Sequence, residues 1–459
     1  MVDKAGVDPS TAPLVGYDDP GTIVAYYKGA PRSLFQFLAD VSRLASLLPI
    51  EGSLINACAD GYHFAVGLAA AVLLGRTTIL PSTYTPETIK QLKAGLLGLY
   101  CLRDTPIDID LPGLSFPELS SSPARGGAMS VPSIPRRQRA VTVFTSGTTG
   151  FPVGHHKTWG SLVAGAHAQA ARLSLSTDPR YTLVATVPSQ HMYGLESTIL
   201  LGLHGGLAFY AMRPFYPQDI VRALAEIPRP RLLVTSPIHL RALLSSAVQV
   251  PALDAILCAT APLPHALAQE AERVLCAPLY EIYGATEAGQ IASRRPVASP
   301  AWELLLDLRL EPTPDGFRVW GGHVEVAAPI NDIIEPLGER LFTLHGRGSD
   351  IVNVAGKRSS LAFLEQQLLD IPGVCDGAFY MPDEDLTGPV ARLTAFVVAP
   401  ALSIADIEQA LRARIDPVFL PRPLWLVDSL PRAATGKLPL ATLKELLVSM
   451  TRNVNHGRG

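Results

Sequence analysis

The sequence predicts an α/β protein: a large N-terminal part of wound parallel sheets with helices, a small β-barrel-like part, and a small α+β part at the C-terminus. Three observations carry this reading. Strand-like and helix-like runs alternate over residues 34–103 and again over 140–290. Short alternating runs replace them over 302–345. After Gly346-Arg347-Gly348-Ser349 a shorter mixture of helix and strand follows.

Each element has a local reason. Leu34 to Leu48 carries apolar residues at helical spacing, Leu54 to Cys58 is a short apolar strand, and Tyr62 to Leu74 is an Ala- and Leu-rich buried helix. Thr77 to Leu80 reads as a strand and Thr85 to Ala94 as a helix. Residues 104–138, rich in Pro, Ser, Gly and Arg, read as a long connection. Ala140 to Phe144 is a buried strand, followed after a loop by a helix with Trp159, Leu162, Val163, Ala166 and Ala170 on one face. Further strands are expected at Thr182 to Val187, Leu207 to Tyr210, Arg231 to Thr235, Ala255 to Ala259 and Leu279 to Ile282. Antiparallel strands are expected at Leu304 to Leu310, Phe317 to Trp320 and His323 to Val326. In the last part, Ser360 to Leu368 and Ile404 to Ile415 read as helices and Leu393 to Val398 as a strand.

Composition narrows the class. With 459 residues, 48% hydrophobic and 17% charged, the chain can bury sizeable cores in two or three domains. A formal net charge of −3 gives no electrostatic argument for nucleic acid or an anionic membrane. Cys58, Cys101, Cys258, Cys276 and Cys375 are scattered and form no CxxC pair, as expected of reduced thiols in a cytoplasmic protein. Met1 to Ser10 does not read as a signal peptide, and the apolar run Phe64 to Gly75 is too short to span a bilayer.

The loop Thr145-Ser146-Gly147-Thr148-Thr149-Gly150 lies between the strand and the helix. Its glycines allow close backbone approach, and its hydroxyls and amides suit polyphosphate oxygens. It is not a Walker A loop, because Gly150 and Gly154 are too close and His155 follows Gly154. A plain Ser/Thr/Gly surface turn is the bland rival. Four further clusters weigh against that rival: Tyr283-Gly284-Ala285-Thr286-Glu287 at a strand end, Asp332, Gly346-Arg347-Gly348-Ser349-Asp350 ahead of Gly356-Lys357-Arg358, and Pro431-Arg432-Ala433-Ala434-Thr435-Gly436-Lys437.

In this order and spacing the motifs resemble the adenylate-forming superfamily of acyl-CoA synthetases, adenylation domains and luciferase, over about residues 34–445. The resemblance implies that Thr145 to Gly150 wrap the β- and γ-phosphates of ATP. It implies that Glu287 holds Mg²⁺, with Thr286 near the α-phosphate and Tyr283 and Gly284 beside the adenine. Thr260 and Ala261 fall where the family has its adenine-contacting turn. Asp332 would take the ribose hydroxyls, Arg347 would support that end, Asp350 would be the hinge and Lys437 the mobile catalytic lysine. His191 and Gly194, in Val187-Pro188-Ser189-Gln190-His191-Met192-Tyr193-Gly194, with Ser236 and Gly284, would border the acid pocket, His191 with a catalytic role. The implied division is 1–346 for ATP and acid, 347–350 as hinge, and 351–459 bearing the lysine.

The implied reaction is a carboxylic acid ligation. An acid, expected to be aromatic, attacks the α-phosphorus of ATP, giving acyl-AMP and pyrophosphate. A phosphopantetheine thiol, of an acyl carrier protein or coenzyme A, then takes the acyl group. Two anions meet in the first step, so positive charge and positioning must do the catalysis. A lysine on a closing domain can deliver that charge and later withdraw.

The chain also departs from the pattern. Phe151-Pro152-Val153-Gly154 lacks the usual phosphate-loop lysine, and Lys157 is the expected substitute because its stem is long and flexible. Asn353 stands where a lysine often follows the hinge, and the N-terminal part is short. These features resemble a compact branch linked to aryl-polyene pathways, which implies loading of a hydroxybenzoate-like acid onto a carrier protein. The rival reading is a non-catalytic relic of the same fold that holds nucleotide or acyl-adenylate. A dehydrogenase would need a G-x-G-x-x-G turn after a first strand, and none stands in that context.

Overall fold

The computed structural model describes residues 8–119, 130–146, 152–175, 178–246, 248–314, 316–347, 351–354, 357–382, 392–432 and 438–456. Two large sheets form its N-terminal part. In the six-stranded sheet, Thr78–Leu80, Ser53–Asn56, Leu99–Arg103 and Gly113–Ser115 continue in parallel from Arg139–Ser146, whose other edge is covered by the antiparallel strand Pro152–Thr158. In the eleven-stranded sheet a parallel centre runs from Leu279–Ala285 through Ala255–Cys258, Arg231–Thr235, Thr182–Ala185 and Ala208–Tyr210 to Ile23–Tyr27. Its two ends are antiparallel.

Parallel strands need apolar cover on both faces, and the sequence supplies it. Helix Gly61–Leu73 is apolar almost all round and lies in the largest core. Asp60 starts it by accepting the N–H groups of Tyr62 and His63. Helix Leu34–Leu47 turns a stripe of Leu34, Phe37, Leu38, Val41 and Leu44 inward, and a Ser33/Gln36 capping box fixes its start. Helix Trp159–Arg172 begins at Thr158, which accepts from Ser161 N–H, and buries Trp159 completely with its Nε1 donating to Pro13 O at 3.1 Å. A fully buried aromatic or aliphatic side chain of this kind contributes about 1.5–3 kcal/mol.

The β-rich segment takes the form of two sheets around one core. Leu308–Thr313, Gly316–Gly321 and Val324–Ile330 form a separate antiparallel sheet, while Trp302–Leu304, Asp332–Pro336 and Leu341–Arg347 extend the large one. The strand expected at Leu304 to Leu310 is therefore split. Asp307 at φ +62° marks the break. The long connection at 104–138 contributes two short strands, Gly113–Ser115 and Ser133–Pro135; residues 120–129 lie outside the described set.

Residues from 351 onward have cores of their own. One joins helices Leu361–Leu369 and Ile404–Arg412 to strands Asp376–Tyr380 and Thr394–Val398. A second packs helix Leu440–His456 on the other face of those strands. This part meets the large one through Ser360, whose hydroxyl donates to His345 O at 2.9 Å, and through Arg241, whose guanidinium donates to Cys375 O. Among the described residues no helix is long and apolar enough to cross a membrane.

Candidate functional site

The carboxyl ends of the parallel strands in the large sheet carry the expected site segments, as wound sheets arrange them. Strand Leu279–Ala285 delivers Tyr283 and Gly284, and the turn into Gly289–Arg294 holds Thr286 and the exposed Glu287. Gly284 has no room for a side chain: a Cβ there would lie 2.5 Å from Gly289 O. Tyr283 is positioned by Trp302 and Phe342, with ring centroids 5.6 and 6.0 Å away. Its hydroxyl donates to Asp332 Oδ2 at 2.5 Å, so the adenine-side and ribose-side residues expected from the sequence are joined.

The Thr260–Leu263 turn is tied to the same strand. Buried Glu281 accepts Leu263 N–H at 3.3 Å and pairs with Arg294 at 2.7 Å. Thr260 adopts φ +86°, which is strained for a β-branched residue, and its Oγ1 is buried with no hydrogen-bond partner among the described residues. A strained residue with an orphaned hydroxyl fits a polar ligand such as a nucleotide base. Ala261 beside it is half-buried.

The phosphate-loop hairpin comes from the other sheet. Thr145 pairs with Val153 across it, and Thr145 Oγ1 lies 3.1 Å from His155 Nε2. Burial holds the His155 imidazole below its ordinary value, partly offset by the Glu287 carboxylate. Pro152–Thr158 is thus a strand where the sequence suggested none. Lys157 lies on it, and its ammonium donates to Glu287 O at 2.6 Å in a nearly closed setting, only 8% exposed. Gly147, Thr148, Thr149 and Gly150, the side chains of Ser146 and Arg347, and Asp350 and Lys437 lie outside the described residues.

The acid-pocket segments fall at neighbouring strand ends. His191 precedes a helical segment whose middle, Leu195–Leu200, is π-helical. Gly194 allows the tight approach there, since a Cβ would meet Pro188 O at 2.0 Å. Ser236 Oγ lies 2.8 Å from His239 Nδ1, and both are buried. Tyr193, not singled out in the sequence, bridges two strand ends by donating to Thr235 O at 3.3 Å and Leu257 O at 3.0 Å.

Sequence reasoning also missed Glu196. It is a lone carboxylate in the apolar run Leu195 to Leu203, and that isolation was the available signal. Burial pushes it up to about 7, against the pull of Lys157 and of Gln290 N–H. The exposed carboxylate of Glu287 is available to a divalent cation. Among the described residues no three His, Cys, Asp or Glu side chains group to cage a metal. That donor set fits Mg²⁺ held jointly by one carboxylate and substrate phosphates.

Comparison with known proteins gives the family and the fold. Residues 68–315 match the model of the AMP-binding enzyme family, and residues 364–437 that of the AMP-binding enzyme C-terminal domain. The chain is 31% identical over 319 residues to a 4-coumarate–CoA ligase of Halorhodospira halophila, covering 65% of this chain and 74% of that protein. It is 26% identical over 367 residues to a 4-chlorobenzoate–CoA ligase of an Arthrobacter species, covering 70% and 69%. In fold it is similar to the o-succinylbenzoate CoA synthetase of Bacillus subtilis solved with its acyl-adenylate intermediate. The TM-score is 0.78 at 20% identity, over 93% of this chain and 96% of that one.

Proposed function

The chain belongs to the AMP-binding enzyme family, and from that premise we propose an ATP-dependent ligase that adenylates an aromatic carboxylic acid and passes the acyl group to a phosphopantetheine thiol. The observation that supports the reading most is a pair of long-range bonds: Tyr283 donates to Asp332, and Lys157 of the Thr145 hairpin donates to the Glu287 carbonyl, so the strand end, Asp332 and the hairpin are tied together. Relatives named for 4-coumarate, 4-chlorobenzoate and 2-succinylbenzoate support an aromatic acid.

Asp332, bridged to Tyr283, orients the ribose. Thr145 and the hydroxyl loop after it cradle the β- and γ-phosphates, and Thr286 faces the α-phosphate. Mg²⁺, held by Glu287, supplies charge neutralisation at the polyphosphate. The acid lies between His191 and Ser236, where its carboxylate oxygen attacks the α-phosphorus as the bond to the β-phosphate oxygen breaks. Pyrophosphate leaves with that electron pair. Lys437 brings an ammonium to the carboxylate and phosphate during this step, and the part beyond 347–350 swings to admit the thiol. The thiolate then attacks the acyl carbon and AMP leaves. The relatives' names favour coenzyme A as acceptor, while the aryl-polyene resemblance favours a carrier protein.

The test is carboxylate-dependent exchange of labelled pyrophosphate into ATP over aromatic, short-chain and long-chain acids. Exchange with aromatic acids, lost in Lys437→Ala, is the expected result. Silence over the whole panel with ATP still bound would replace this reading with the relic, which the absence of a lysine at Val153 motivates.

A further inference from the structure

Beneath the Glu287 turn lies a buried polar assembly drawn from distant parts of the chain. Lys157 comes from the phosphate-loop hairpin and holds Glu287 O at 2.6 Å. Glu196 comes from the π-helical segment, and its carboxylate accepts Gln290 N–H. It lies against the turn: a Cβ on Gly289 would be 2.5 Å from Glu196 Oε1. Gln290 is held at two further groups. Its Nε2 donates to Ser197 Oγ at 2.9 Å, and its carbonyl lies 2.7 Å from His323 Nε2. The Glu287 side chain is exposed, whereas the main chain of the turn is bonded from below.

We propose that Lys157 and Glu196 are positioning residues that set the Glu287 carboxylate against the phosphate-loop hairpin. This rests on the nucleotide reading above, and it replaces the phosphate-binding role expected of Lys157. The ammonium is committed to a main-chain carbonyl, in a nearly closed setting with the Glu196, Glu287 and Glu325 carboxylates around it. A lysine and a carboxyl group are kept inside where apolar side chains of similar volume would cost less, which suits a device that fixes orientation. The lysine is on the hairpin and the bonded carbonyl is in the turn, so one bond fastens together the halves of the site that come from different sheets. Groups behind a metal ligand commonly control its affinity in this way.

The experiment is calorimetric ATP binding over a series of free Mg²⁺ concentrations, with thermal unfolding in parallel, for wild type, Lys157→Met, Lys157→Arg and Glu196→Gln. Lys157→Met and Glu196→Gln are expected to raise the Mg²⁺ concentration at half effect about 10-fold. Metal-free ATP affinity stays unchanged, and Lys157→Arg recovers part of the loss. The proposal is overturned if Lys157→Met weakens ATP binding equally with and without Mg²⁺, which would make the lysine a phosphate cation. Lower thermal stability with an unmoved Mg²⁺ midpoint in all variants also overturns it. A wild type that binds no ATP at any Mg²⁺ concentration would instead remove the nucleotide reading on which the proposal stands.

Discussion

Two turns at the carboxyl ends of the same sheet are built differently. The Glu287 turn is held by groups from residues 157, 196, 197 and 323, all distant in sequence. The turn after Arg231–Thr235 relies on near neighbours: Ser236 bonds to His239 three residues on, and the longer-range ties at its root are Thr186 to Thr235 at 3.0 Å and Tyr193 to Thr235 O. Under the proposed function the difference would separate two jobs. Chemistry common to every acid would be fixed by long-range polar bonds that a point change cannot easily redirect. Selection of one acid would be left to a locally satisfied turn, whose residues can change without dismantling the rest.

The sharpest break in this contrast comes from Glu287→Gln. Exchange should fall about 10²–10³-fold, with little change in unfolding temperature because the carboxylate is exposed. An unaltered rate would deny the turn its role.

Buried histidines extend the comparison to stability. His323 bonds to the Glu287 turn, but His204 has neither ring nitrogen partnered among the described residues and packs beside Trp159. Burial, with His167 nearby, pulls His204 down to about 3. Unfolded histidine takes its proton near pH 6.5, so this contribution to stability is full above that pH and drains away as pH falls towards 3. His204→Leu should flatten the pH dependence of unfolding, improving stability at pH 5 relative to pH 8 by about 2 kcal/mol over wild type. Parallel unfolding curves for the two proteins would contradict this.

Tyr283→Phe removes the bond to Asp332 while keeping the ring contacts. The KM for ATP should rise about 10-fold, the order expected for a hydrogen bond to a charged group. Acid preference should stay fixed, as steady-state exchange with two acids would show. The smallest effect is expected at the other turn. Ser236→Ala should alter the ratio of kcat/KM between two aromatic acids several-fold, about 1 kcal/mol, with the KM for ATP unmoved. A change in ATP affinity instead would erase the division of labour.

Much of the frame was legible because local pattern and final environment agree. Runs such as Leu232-Leu233-Val234 and Ile256-Leu257 are apolar at every position, and they became parallel strands buried on both faces. The strand Pro152–Thr158 was not legible, since Pro, Gly, His and Lys carry no strand signal and its pairing with Arg139–Ser146 decides its form. Tyr283, Asp332 and Thr145 were readable as motif positions, and the structure joins Tyr283 to Asp332 and pairs Thr145 across the hairpin. Their support was not. Glu196, Gln290 and His323 meet only through the fold, and Lys157 faces inward because its strand alternates, a direction that sequence spacing alone left open.

The helix Pro237–Ser245 follows Ser236 directly and also carries Arg241, which donates to Cys375 O and feels the Asp376–Arg432 pair of the C-terminal part. Under the proposed function, anyone grafting a relative's pocket segment to change the accepted acid would therefore also replace a docking point for the C-terminal part. A graft that spares Arg241 should keep turnover coupled to the new acid, whereas one that removes it should bind the acid yet turn it over slowly.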